Sequence, residues 1–155
     1  MKKNRRAARE LALNVLYQTD ACYIPLEEAL ETAMEYADLS ELGDEGAEEA
    51  RLYARGLVTG IRDHLDELDD QIERLAQGWP LDRQPAVDRN ILRIALYEIK
   101  FADSVPPVVS IDEAVELAKK YSTAESGKFV NGVLAGYLRA QSKTAEEKGS
   151  DSKDS

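Results

Sequence analysis

The sequence predicts an all-α protein of about seven helices, and three observations carry that prediction. Apolar residues recur at helical spacing in segment after segment, and no run alternates with the period of two that a half-buried strand would show. The links between segments are short and marked by Gly, Pro or Ser. The most apolar stretch, Pro85 to Phe101, is apolar around most of the helix circumference, as expected of a helix buried on nearly all sides. The other segments are expected to pack around it in a bundle.

The first helix is predicted over residues 4–20, where Ala8, Leu11, Ala12, Val15 and Leu16 follow the i, i+3, i+4, i+7 rule. Lys2, Arg5, Arg6 and Arg9 follow the same rule on a second face, roughly 100° round the axis. Together with Lys3 they form a basic strip beside the packing face. Pro25 opens a second helix carrying Leu26, Ala29, Leu30, Ala33, Met34 and Ala37 on one side. From Glu27 to Glu49 there are ten carboxylates and no Lys or Arg, which reads as a solvated face followed by a mobile loop around Gly43 and Gly46.

A third helix is expected from about Glu48 to His64, with Gly56 and Gly60 four apart for close helix packing. A fourth follows from about Asp66 to Gln77, with Leu65, Leu68, Ile72, Leu75 and Ala76 as its stripe. Gly78-Trp79-Pro80 stops it. After the central helix, Val105-Pro106-Pro107 forces an extended turn. Ser110 and Glu113, three apart, read as a capping box for a sixth helix with Ile111, Ala114, Val115, Ala118 and Tyr121. Ser122 or Thr123 separates it from a last helix bearing Phe129, Val130, Val133, Leu134, Tyr137 and Leu138. Beyond Arg139 the apolar periodicity ends, giving a domain over 1–140 and a disordered, acidic and polar tail over 141–155.

Charge narrows the partners. The chain has 155 residues and a net charge of −10, yet residues 1–10 hold five basic residues against one carboxylate. The bulk should repel nucleic acid, so any affinity for it must be local. Cys22 is the only cysteine and His64 the only histidine, which leaves zinc sites and Ser-His triads poorly supplied. His64, near a helix end, is expected to be exposed or capping. With no glycine-rich phosphate loop either, the reading is a non-enzymatic protein without a cofactor. No apolar run has signal-peptide or membrane-spanning length, so the expected location is the cytoplasm, without membrane contact. One junction stands apart: Tyr121 to Phe129, YSTAESGKF, joins two aromatics, one lysine and small hydroxyls to a helix start. Free N–H groups there can hold phosphate, and aromatics can stack on unpaired bases. Periodicity alone also fits both aromatics as core residues.

Three stretches resemble the family of the transcription antitermination factor NusB: Arg5-Arg6-Ala7-Ala8-Arg9-Glu10, then Ile91 to Glu98 (ILRIALYE), then Ile111 to Lys119 (IDEAVELAK) followed by Lys128 to Leu134 (KFVNGVL). The resemblance spans Arg5 to Leu138. It implies two small helical bundles packed at right angles around the central helix. It also implies binding of the boxA element of ribosomal RNA leader transcripts, as a heterodimer with NusE, a small-subunit ribosomal protein, and entry into the RNA polymerase antitermination complex. By position, Arg5, Arg6 and Arg9 match RNA-contacting arginines, with Lys2 and Lys3 extending them. Tyr121, Glu125, Lys128 and Phe129 match the rest of the RNA surface, and Asp88 matches an acidic residue used against NusE. Ala7 stands where some relatives carry another arginine, Gly127 where the residue is often larger and polar, and Glu125 is one methylene longer than the common aspartate. Two other classes stay open: a protein-interaction module, or a homodimer hiding the strip, without RNA binding; and the related domain of ribosomal RNA cytosine methyltransferases, for which the length leaves no methyl-donor domain.

Overall fold

The computed structural model describes the backbone of residues 2–153 and the side-chain surroundings of residues 2–144. Seven α-helices follow in order within that span: α1 Lys2–Ala21, α2 Leu26–Tyr36, α3 Gly43–Asp63, α4 Leu65–Leu75, α5 Ala86–Phe101, α6 Pro107–Tyr121 and α7 Ala124–Lys153. Short 3-10 turns at Ser40–Leu42 and Leu81–Arg83 precede α3 and α5. No strand occurs among the described residues, and none of their helices is long and apolar enough to cross a membrane.

α5 is the axis. Every residue from Asn90 to Leu96 is buried, with Ile91, Leu92 and Leu96 fully so. α1, α2 and α3 pack together on one side; α4, α6 and α7 gather on the other; α5 touches α1 and α3 of the first group and all three of the second. The all-round apolar pattern of its sequence is satisfied by neighbours on all sides. Its polar residues go inside too, each with a partner. Arg93 forms a two-pronged pair with Asp69 at 2.8 and 2.9 Å and reaches Asp20 at 3.0 Å and Asn90 at 2.9 Å. Arg89 also grips Asp20 and donates to the carbonyls of Leu81 and Gln84. The end of α1, the start of α5 and α4 are thereby tied by one set of charges, as buried ions require.

Three expectations are corrected. The loop around Gly43 and Gly46 is the start of α3, which begins five residues before Glu48. Asp44 and Glu45 in its first turn suit the positive end of the helix dipole. Gly46 is buried because Asn4 lies against it: a Cβ there would sit 2.9 Å from Asn4 Oδ1. The Ser110–Glu113 capping box does not form. Pro107 starts α6, a position where its missing N–H costs nothing, and Ser110 lies one turn inside, buried, with no partner for its hydroxyl. Residues 140–153 continue α7, where the sequence predicts a disordered tail. Extending an existing helix needs no new nucleus, and Ala, Gln, Lys and Glu carry it well. His64 caps the end of α3, as its place near a helix end predicts, and is half-buried at the α3–α4 junction. Its Nδ1 is 3.1 Å from the Gly60 carbonyl oxygen, and its ring lies 4.3 Å from that of Phe101.

The glycine pair of α3 divides. Gly60 is required, because a Cβ there would collide with the Tyr97 ring of α5. Gly56 has open space around it. Gly78, at φ +81°, ends α4 in the left-handed conformation that its sequence predicts.

Candidate nucleic-acid interface

The basic strip of α1 is split by what its arginines meet. Lys2 and Lys3 are exposed. Arg6 is half exposed and donates to both oxygens of Glu113 on α6, at 3.0 and 2.8 Å. That pairing, first through the hydrogen bond, holds the Glu113 carboxyl below the usual carboxylate range. Arg5 lies over the Tyr53 ring, 4.0 Å from its centroid. Arg9 is not on the strip. It is 4% exposed and donates to both oxygens of the fully buried Glu98, at 2.9 and 3.1 Å. The Tyr53 hydroxyl donates to the same carboxylate. Burial first, and then that carboxylate, pushes the phenol up to about 12. Arg9, expected to contact RNA, instead has its guanidinium in the core, where it neutralises Glu98, one of the two carboxylates that α5 buries.

The α6–α7 junction lies beside this strip. Lys120 pairs with Glu10 at 2.8 Å, and its ammonium stands 5.2 Å over the Tyr121 ring, which is 46% exposed. Burial and Glu10 raise the Tyr121 phenol. Arg6, Glu10, Glu113, Glu116, Lys119 and Lys120 line one depression of about 490 Å³ between α1 and α6. The two stretches picked out in the sequence thus share a face.

Hydroxyls build the junction itself. Thr123 Oγ1 accepts from the Ser126 N–H at 3.0 Å, capping α7, and the Ser122 and Ser126 hydroxyls are 2.9 Å apart. Ser126 Oγ donates to Asp88 Oδ2 at 2.8 Å. Asp88, matched by position to partner binding, is 2% exposed, and its Oδ1 is buried without a partner. From the head of α5 it anchors the start of α7 through that hydrogen bond. Beside it an apolar groove of about 480 Å³ runs between α1 and α5, bordered by Leu11, Tyr17, Leu39, Val87 and Tyr121.

On α7, Glu125 and Lys128 are well exposed and 3.5 Å apart. Gly127 is small for a reason: a Cβ would meet Lys119 Cγ at 3.3 Å, so the helix start packs tightly against α6. Phe129 is half-buried against the core and meets Trp79 edge-on, with ring centroids 4.6 Å apart. Sequence reasoning missed Lys119, Lys120 and Trp79. A signal was present in the first two, adjacent lysines directly before Tyr121 in an acidic chain. Chemically the face offers exposed cations and an aromatic edge. Arg6, Lys119, Lys120 and Lys128 are already held by carboxylates, so a phosphate must compete with these.

The NusB family model matches residues 6–139. The transcription antitermination protein NusB of Myxococcus xanthus is 45% identical over 130 residues, 84% of this chain and 91% of that protein. The NusB of Leifsonia xyli is 49% identical over 132 residues, 84% of this chain and 88% of that one. A crystal structure of the antitermination factors NusB and NusE in complex with double-stranded RNA is similar at a TM-score of 0.76 and 32% identity, covering 90% of this chain and 99% of that one. With the central helix α5 and the α6–α7 junction both falling within the matched residues, the chain belongs to the NusB family.

Proposed function

We propose that the protein is a transcription antitermination factor. In this reading it binds the boxA element of ribosomal RNA leader transcripts as a heterodimer with NusE and joins the antitermination complex on RNA polymerase. The observation that carries the reading is the meeting of the α1 basic end and the α6–α7 junction on one face, through Arg6–Glu113 and Glu10–Lys120. Family membership supports it, as does the likeness to a NusB described with NusE and RNA.

Lys2, Lys3 and Arg6, joined by Lys119, Lys120 and Lys128, take the phosphates, and Tyr121 and Phe129 take bases. Arg9 and Asp88 act from inside, Arg9 holding α1 to α5 and Asp88 holding α7 to α5. NusE sits in the groove beside Val87, next to Asp88, where apolar side chains are open to a partner. The role is binding, and the protein itself catalyses no reaction. A short cationic strip on a chain of net −10 makes few phosphate contacts, so the protein alone should bind weakly. A partner extending the surface adds at least about tenfold, a coupling of about 1.4 kcal/mol. The test is a titration of labelled boxA RNA, single-stranded and annealed to its complement, at one salt concentration, with and without saturating NusE. Coincident curves in both forms would overturn the cooperative reading.

A further inference from the structure

We infer that Trp79 is a second aromatic platform for an RNA base, continuing the Phe129 face onto the loop between α4 and α5. The inference rests on the RNA-binding reading above. Trp79 is the only tryptophan of the chain and stays 38% exposed. It stands edge-on to Phe129, at 64° between ring planes, so an open indole lies next to the ring matched to RNA contact. Phe129 packs against the core whereas Trp79 is outside it. The more accessible ring of the pair is thus the one on the loop.

The loop is held in place. Gln77 and Gly78 both take positive φ, +34° and +81°, turning the chain sharply after α4. The Trp79 N–H donates to the Ala76 carbonyl at 3.3 Å, and its own carbonyl accepts from Nε2 of the buried Gln84 at 3.2 Å. Arg89 then fastens the carbonyls of Leu81 and Gln84 from α5. An aromatic ring on an anchored loop stacks on a base with little ordering left to do. The indole also carries one N–H donor, suited to a base edge or a phosphate oxygen. Lys128, next to Phe129, and the exposed Arg83 of the same loop supply positive charge nearby in sequence.

Because there is one tryptophan, its emission reports this place alone. The experiment titrates the full-length protein, alone and saturated with NusE, with single-stranded boxA RNA. It follows tryptophan emission and, in parallel, the anisotropy of a label on the RNA. Inorganic polyphosphate serves as a chain of phosphates without bases. The expected result is emission quenched along the anisotropy curve by RNA and unchanged by polyphosphate. Trp79→Ala should weaken RNA binding about tenfold, and Trp79→Phe, which keeps a ring, should stay within about threefold of the native protein. Thermal melts of both variants check folding; if Trp79→Ala unfolds, the quenching of the native protein decides. RNA that binds with unchanged emission, and as tightly to Trp79→Ala, overturns the inference and leaves the antitermination reading standing. RNA that fails to bind with or without NusE overturns both.

Discussion

Arg6 and Arg9, three residues apart on α1, have opposite surroundings and should behave oppositely. Arg9→Ala leaves the Glu98 carboxylate and the Tyr53 hydroxyl in the core without their cation. Removing one partner of a buried pair is worth about 3–5 kcal/mol, so denaturant melts should show a loss of that order. Arg6→Ala removes a half-exposed pair of about 0–1 kcal/mol and should leave the melt nearly unchanged while weakening RNA binding, most clearly at low salt. The Glu113 carboxyl makes a second test. Its pKa is depressed from the ordinary 4.5 by Arg6, so its contribution is complete above that value and is lost as pH falls through the depressed one. Melting temperature followed from neutral to acid pH should therefore fall less steeply in Glu113→Gln than in the native protein. Parallel curves would mean that the pair contributes nothing to folding.

At the scale of elements, the contact of α3 with α5 turns on one glycine. Gly60→Ala drives a methyl into the Tyr97 ring and should destabilise by about 1–3 kcal/mol. Gly56→Ala, one turn earlier and facing open space, should instead stabilise by about 0.5–1 kcal/mol through better helix propensity. Chemical denaturation of the two single variants separates them by sign. Two losses of equal size would mean that both glycines face the neighbouring helix. The four-residue spacing in the sequence was a true sign of close approach, but it named two positions where the fold uses one. The reason is geometric: which residue of a small pair sits under a ring depends on where Tyr97 comes to lie, 37 residues further along.

Across the whole molecule, the footprint on RNA is set by cations from three helices. Lys2, Lys3, Arg6, Lys119, Lys120 and Lys128 give up to about six phosphate contacts, hence a slope of log affinity against log salt near −4 for a single strand. Deleting Met1 to Arg6 removes three of these and should leave a slope of about −2. Filter binding or anisotropy over a salt series measures it. An unchanged slope would remove α1 from the interface. A slope near zero after the deletion would remove α6 and α7.

Much of this protein was legible in order along the chain. Seven helices, the burial of Ile91 to Leu96, the stop at Gly78 and the basic start all follow from residues within one or two turns of each other. Periodicity and capping act over such distances, so a sequence read locally determines them. The expected capping box failed because Pro107 had already started the helix that Ser110 was meant to begin. What only the tertiary structure decided is the partner of each polar side chain. Arg6 finds Glu113 across 107 positions and Arg9 finds Glu98 across 89, so two arginines with one local pattern become a surface cation and a core ion. Asp88 likewise faces Ser126 instead of solvent, and Trp79, read as part of a stop signal, comes to lie on Phe129. A buried charge must be paired wherever the fold places it, and pairing is settled by contacts between helices distant in the chain, which local periodicity does not encode.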